Sequence, residues 1–268
     1  MEEPGVNLES AVIFLILLCV SAGLGFFINS RLPERHQSQE SMELVQLAIT
    51  LLVTFTAIVL GLLTTSVKAG FDDAYDARGD YASQLAQMDR CLRDYGPETQ
   101  HIREQLRAYV AAVIASTWPD EPRPANVKYP DTSKMSLTGE DPTLGAIMND
   151  VGLETRSLQA SDELHRTLRS ACAEQYRDLV KARWKVIEGV RGSISAPFYW
   201  VLVFWFAILF ASFGVIAKPN AMSVTVIFLS ALSIAFSIFV ILDMDLPYGG
   251  LFGIPSTSMR NALADMMR

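Results

Sequence analysis

Histidine and cysteine are scarce, with three of each in 268 residues. Their scarcity removes several chemistries. His101 opens "HIRE", which lacks the second histidine that a helical zinc site needs four residues on. No glycine-rich phosphate loop, nucleophile elbow or dinucleotide fingerprint is present. The chain is therefore not read as an enzyme, and no cofactor is implied by any motif. Cys19 lies in an apolar run, Cys91 and Cys172 in a polar segment, and none has metal-ligand spacing. A Cys91–Cys172 disulfide is open in principle, but buried free thiols are the expectation. Basic blocks are missing too. Residues 68–196 hold 17 Lys and Arg against 20 Asp and Glu, and the whole chain carries a formal −7. Nucleic acid is not an expected partner. Strand-forming alternation is nearly absent.

Charge is also missing from four long stretches, Ser10–Asn29, Leu44–Val67, Phe198–Ala217 and Met222–Leu242, none of which contains Asp, Glu, Lys or Arg. Each is about 20 residues long, the length a helix needs to cross roughly 30 Å of hydrocarbon. Four such helices buried in a soluble core would need far more chain around them. The first stretch could be a signal peptide, but its leader "MEEPGVNLE" is acidic where a signal peptide is basic, so it reads as a retained helix. The expected fold is all-α: an integral membrane protein with four transmembrane helices and a cytoplasmic helical domain. Residues 1–67 form the first helix pair (10–29 and 44–67). Residues 68–196 form the helical domain, with a loop at 118–141. Residues 197–242 form the second pair (198–217 and 222–242), and 243–268 a tail. Two crossings before and after the polar block put both termini and residues 68–196 on one side. Lys68, Arg78, Lys181, Arg183, Lys185, Arg191 and Arg260 lie on that side, against Arg31, Arg35 and Lys218 on the other. The positive-inside rule makes the first side cytoplasmic, and the expected location is the inner membrane of a bacterium.

Within the polar block, Phe71, Ala74, Ala82, Leu85, Met88 and Leu92 recur at helical steps. "YGP" at 95–97 ends that helix, and Pro97 suits the first turn of the next. Asp141-Pro142 reads as a cap and first-turn proline, opening one long helix that carries Leu158, Leu164, Leu168, Cys172, Leu179, Trp184 and Ile187. The helices are expected to continue the second and third spans beyond the membrane.

Three sets of residues carry functional expectations. In the second span, Thr50, Thr54, Ala57, Gly61, Thr65 and Lys68 recur at three- and four-residue steps, giving one face of small or weakly polar side chains. Ser223, Ser230, Ser233 and Ser237 do the same in the fourth. Such stripes either let helices pack closely or line a water path between several subunits. One subunit's four helices cannot enclose such a path, so a homo-oligomer in membrane lipid is expected. Just past the second span, Asp73, Asp76 and Asp80 share a helix face. They are candidates for a hard cation such as Ca²⁺, although a solvated helix face explains them as well. At the end of the fourth span, "DMDLPYGG" places Asp243 and Asp245 about 200° apart on a helix, so they cannot serve one ligand together. Pro247 and two glycines stop the helix near Leu246. Asp245, Pro247 and Gly250 are the expected structural interface. Asp245 would tie the turn to backbone amides or to a base, with Arg78, Lys185 and Arg191 as candidates.

Three segments also carry a family resemblance. "MDRCLRDYGPETQHIREQLR" (88–107) offers Asp89, Arg90, Leu92, Tyr95, Gly96, Pro97 and Arg103. "APFYWVLVFWFAILFASFGVIAKPN" offers Pro197, Phe198, Trp205, Gly214, Pro219 and Asn220. "MDLPYGGLFGIPSTSMRNAL" offers Asp245, Pro247, Tyr248 and Gly250. On these the chain resembles the bacterial bestrophin-like domain family. The resemblance implies kinship with bestrophin anion channels, whose subunits have four membrane helices, a cytoplasmic helical region and fivefold assembly. It thus implies a pentamer and a passive ion channel, with anions favoured through the family name alone. The other reading is a non-conducting membrane scaffold or sensor whose cytoplasmic helices bind a partner.

Overall fold

In the computed structural model, residues 5–31, 39–135, 139–189, 196–218 and 220–268 are described. They form eight α-helices with no strand among them: α1 (Gly5–Arg31), α2 (Gln39–Tyr95), α3 (Gln100–Thr117), α4 (Pro142–Ser157), α5 (Glu163–Gly189), α6 (Ala196–Ile216), α7 (Ala221–Asp245) and α8 (Thr257–Met266). Four of them, α1, α2, α6 and α7, are long and apolar enough to cross a membrane. The chain divides into two compact units. One holds residues 2–71 and 192–252, the other 72–191 and 253–268.

In the first unit, α1 packs on α6 and α7. Phe14, Leu18 and Ala22 recur at four-residue steps and bury against Leu202, Phe206, Leu209 and Phe210 of α6 and Ala231, Ala235 and Ile238 of α7. Phe14 meets Phe206 edge to face at 5.9 Å between centroids. The α1–α6 crossing is closer than side chains would allow. A Cβ on Gly25 would collide with the Ala211 carbonyl, and one on Gly214 with the Ala22 carbonyl. Lipid tails are as apolar as leucine, so helices in a membrane gain little by burying leucine against each other. They gain by bringing backbones close, which small residues permit. The small stripes singled out in the second and fourth spans do not make this contact.

In the second unit, α2 supplies Ala74, Ala77, Tyr81, Leu85, Met88, Leu92 and Tyr95, all buried, at helical steps. They face the buried stretch of α3 from Ile102 to Ala115, where Ala111 and Ala112 are fully enclosed. The helix stop at Tyr95 works through Gly96, whose φ of 139° lies where glycine is favoured, and through Pro97, which starts a 3-10 turn. Asp141 caps α4 as expected, accepting from the amides of Thr143 (2.8 Å) and Leu144 (3.1 Å). Asn220 caps α7 in the same way through the Ser223 amide.

Two expectations are corrected here. The helix from Pro142 is not continuous, because it stops at Ser157 and resumes at Glu163. Local side-chain bonds win over apolar periodicity: Ser157 bonds back to the Glu154 carbonyl, and Asp162 takes the His165 amide as a new cap. The thiols are not free either. Cys91 on α2 and Cys172 on α5 form a disulfide with Cα atoms 5.6 Å apart, and Cys19 alone is a free thiol. Only the fold brings these cysteines together, since 81 residues separate them. A crosslink over such a loop stabilises by roughly 4 kcal/mol on the chain-entropy estimate.

The last helix docks through a polar lock. Trp118 Nε1 donates to the Ile254 carbonyl at 2.7 Å. The Glu121 carboxylate receives the Ser256 hydroxyl and Arg260 Nε, the latter at 3.0 Å, while Arg260 also donates to the Pro122 carbonyl. Burial disfavours the Glu121 charge, but the Ser256 bonds and Arg260 outweigh it and hold its pKa below the ordinary 4.5.

Two predictions follow from this packing. Gly214→Ala or Gly25→Ala should destabilise by about 1–3 kcal/mol, because the obstruction is backbone. A thermal melt in detergent checks this, and an unchanged midpoint would mean that α1 and α6 are not in backbone contact. The lowered Glu121 pKa makes α8 docking strongest above pH 4.5 and lost as pH falls through the depressed value. Proteolytic release of the C-terminal helix should therefore rise on acidification, and Glu121→Gln should abolish that dependence.

Candidate functional site

Thr50, Thr54, Ala57, Gly61, Thr65 and Lys68 are all exposed on α2. The opposite side of the helix turns inward: Thr56 and Val67 are buried, and Ile49, Leu52, Val59, Leu60 and Leu63 rest partly against the α1–α6–α7 core. The rest of the helix has little cover. Only 6% of the apolar stretch of α2 is buried, against 28% for α1, 33% for α6 and 28% for α7. Leu47, Leu51, Phe55, Ile58 and Leu62 flank the stripe and stand open. A Cβ on Gly61 would meet nothing within 4 Å.

The hydroxyls of the stripe are already occupied as donors. Thr50 donates to the Gln46 carbonyl (2.9 Å), Thr54 to Thr50 (2.8 Å) and Thr65 to Gly61 (2.9 Å). Thr56, which periodicity did not single out, does the same to Leu52 from its buried position (2.7 Å). Each side chain therefore presents oxygen lone pairs outward rather than a free O–H. In α7, Ser230 and Ser237 also bond back to their own helix, and Ser233 and Ser237 are exposed. The buried small residues of α7 are instead Ala231 and Ala235.

Asp73, Asp76 and Asp80 are exposed along α2. Among the described residues, no three His, Cys, Asp or Glu side chains are grouped so as to hold a metal ion. Arg78, on the same helix, is buried with its guanidinium 5.0 Å from the centre of the Trp118 ring. A second buried polar cluster joins α2, α3 and α5. The Tyr81 and Tyr109 hydroxyls are 2.5 Å apart, Arg183 Nε donates to Tyr109 at 3.1 Å, and Arg183 Nη1 donates to Glu140 at 2.7 Å. Burial works against the Arg183 charge, yet Tyr109 and Glu140 outweigh it and raise its pKa. It stays a cation at every accessible pH, engaged by Tyr109 and Glu140, so the cluster holds helices together and Arg183 offers no proton to a reaction.

The turn after α7 is built around Asp243. This residue is 1% exposed, and its two carboxylate oxygens accept separately from the amides of Leu251 (Oδ1, 3.2 Å) and Phe252 (Oδ2, 2.8 Å). Gly250 lies against the same carboxylate with a φ of 74°, so a Cβ there would be both strained and obstructed. Pro247 is buried beneath the turn, and the Gly249 amide bonds to the Leu246 carbonyl at 3.1 Å. Asp245, the acid expected to tie the turn, is half-buried and also engaged, and the Leu251 and Phe252 amides converge on its neighbour Asp243. These amides satisfy Asp243, and the residue is closed off from solvent. Of the other sequence candidates, Lys185 is exposed on α5, and Arg35, His36, Arg191 and Pro219 lie outside the described residues.

Helices that span a membrane in two pairs, with a polar helical unit inserted between the pairs, define a four-span helical membrane protein. A family model described as "Bestrophin-like domain" matches residues 16–259, and the chain belongs to that family. Solved structures share the fold. A bacterial bestrophin homologue from Klebsiella pneumoniae, phased with zinc, matches with a TM-score of 0.68 at 13% identity, covering 96% of this chain and 97% of that one. A substituted form of that homologue matches at 0.67 and 13%, covering 96% and 99%. A chain described only as a membrane protein matches at 0.67 and 14%, covering 96% and 97%. No curated protein matches this chain significantly.

Asp243→Asn should cost about 1–3 kcal/mol, because the amide side chain leaves one of the two backbone N–H groups facing another donor. Gly250→Ala should disrupt the same turn. Equal losses in Asp243→Asn and Asp245→Asn, read from thermal melts, would show that the two acids share the task.

Proposed function

We propose that the protein is a homo-oligomeric passive ion channel of the bacterial inner membrane, with copies of α2 surrounding the ion path. The observation that carries this reading is the bareness of α2. It is apolar enough to sit in a bilayer, yet 6% of its apolar stretch is buried where the other spans bury 28–33%. A helix continuous over 57 residues, with one face of threonine, alanine and glycine and no charge between Glu43 and Lys68, suits a surface shared between copies and a water path. The family resemblance favours five copies, and anions by kinship; Lys68 at the end of the stripe would attract anions mildly. Residues 68–196 and both termini are assigned to the cytoplasmic side by the distribution of Lys and Arg.

A non-conducting scaffold or sensor draws support from a different observation. Leu153 on α4, Leu164 and Trp184 on α5 are exposed apolar side chains on the polar unit, where a partner could sit.

Purified protein reconstituted in liposomes decides between them. Dissipation of a chloride or potassium gradient is expected, and intact gradients with correctly folded oligomer would favour the scaffold. Gly61→Trp and Thr54→Trp should reduce the flux at least several-fold. Position 61 is open in the subunit, so the Gly61 change tests the path rather than the fold. A monomer in mild detergent would end the channel reading. Lys128→Cys should react with an impermeant maleimide only from the cytoplasmic side; labelling from outside would reverse the topology.

A further inference from the structure

The disulfide conflicts with the compartment to which the charge distribution assigns it. A bacterial cytoplasm keeps thiols reduced, and disulfides that occur there are usually transient, catalytic or sensing. Yet Cys91 and Cys172 are placed to bond, one on each of two antiparallel helices. The surroundings of the pair bear on whether the bond can open and close. Cys172 is fully buried, while Cys91 is partly exposed, so the Cys91 side is the one from which a reductant would approach the bond. Leu85, Met88 and Leu92 of α2, on either side of Cys91 in sequence, are fully buried, and so is Leu106 of α3. Other ties run between α2 and the α5 region: a Gln175–Gln84 side-chain bond, an edge contact of Tyr95 with His165 at 5.1 Å, the Tyr95 bond to the Gln159 carbonyl, and the Tyr81–Tyr109–Arg183 chain. Reduction therefore removes a covalent tie between α2 and α5 and no apolar side chain.

We propose that Cys91 and Cys172 form a reversible redox site, reduced by a cytoplasmic dithiol and re-formed by oxidation, which locks or releases α5 against α2. This rests on the cytoplasmic placement of residues 68–196 given above. In the reducing direction a thiolate of the dithiol attacks Cys91 Sγ and the Cys91–Cys172 bond breaks. The Cys172 sulfur leaves as a thiolate and takes up a proton. The second thiol of the reductant then attacks the mixed disulfide and releases Cys91 as a thiolate. Two electrons pass to the protein, and the reductant departs as its own disulfide. Oxidation by a disulfide of the same class reverses the steps. α2 is also the helix that carries the Thr50–Lys68 stripe, so the lock acts on the element to which the ion path is assigned.

The test uses the full chain, with Cys19→Ser to remove the one free thiol, in liposomes under native conditions. The protein is equilibrated with reduced and oxidised dithiothreitol at a series of ratios, then trapped with a maleimide and weighed. Two new thiols per chain should appear together, with helicity and oligomeric state retained, and oxidised dithiothreitol or glutathione should restore the bond. Hydrogen exchange in residues 84–95 and 163–179 should quicken several-fold on reduction, and Cys91→Ser should show the reduced pattern whatever the ratio. A bond that yields only after the protein is denatured would overturn the proposal, as would an exchange pattern unchanged by complete reduction. Trapping in intact cells gives the remaining arm. A reduced or mixed population supports the site, whereas a pool that is fully oxidised regardless of cellular thiol status makes the bond a fixed staple and overturns it. None of these readouts requires ion flux. A protein that never conducts would end the channel reading and leave the redox site to be judged by trapping and exchange.

Discussion

A helix of 57 residues whose apolar part finds little cover within its own chain constrains everything else about this protein. A transmembrane helix satisfies its backbone internally and needs no neighbour for that purpose. What it does need is a medium for its side chains. α1, α6 and α7 supply one another with partners through Phe14, Leu18, Leu202, Phe206, Phe210 and Ile238. α2 offers this cluster only a narrow inward edge centred on Leu52, Thr56, Val59 and Val67. Lipid or further copies must meet the remaining faces. The stripe from Thr50 to Lys68 lies on one of them, which is why the proposed assembly and the proposed ion path are a single question.

The hydroxyl geometry adds a chemical constraint. With Thr50, Thr54 and Thr65 each donating to the carbonyl four residues back, the stripe shows lone pairs outward. Oxygen lone pairs stabilise a cation directly and an anion only after the hydroxyl turns away from its own helix, giving up a bond of about 1 kcal/mol. Lys68 works in the opposite sense, attracting anions by charge. The stripe and the lysine thus favour opposite signs, and kinship supplies the preference for anions in the proposed function. Selectivity in this protein would turn on which of the two an ion meets where the path is narrowest.

How far the sequence was legible depended on whether the signal was local. Four charge-free runs of membrane length, the stop at "YGP", the Asp141 cap and the family segments are local, and each can be read along the chain. The break between α4 and α5 was missed because Leu158 and Leu164 keep helical spacing while Ser157 and Asp162 spend their side chains on the backbone. Asp245 matches the family ending and is legible on that ground, whereas the burial of Asp243 and its two amide bonds depend on which side of α7 faces the turn. The Cys91–Cys172 bond joins residues 81 apart, and nothing along the chain encodes that proximity. The α1–α6 contact was missed for a different reason. Gly25 and Gly214 are single small residues, not stripes, and only the crossing reveals that their hydrogens are all that fits.

The two units are held by different interactions because their surroundings differ. In the membrane-spanning unit there is little to gain from burying one hydrocarbon against another, so close backbone approach at Gly25 and Gly214 and edge-to-face rings do the joining. Asp243, a fully buried acid of that unit, is satisfied by amides of its own turn. In the polar unit water makes apolar burial favourable, and the core of α2 and α3 uses it. Polar and covalent ties are added to that core: the buried Arg183–Tyr109–Tyr81 chain, the Glu121–Arg260 lock on α8 and the disulfide on α5. Of these ties only the disulfide can be made and unmade at constant pH. A unit that must respond to its surroundings without unfolding would place such a bond where this one lies, between two helices and with one cysteine partly exposed.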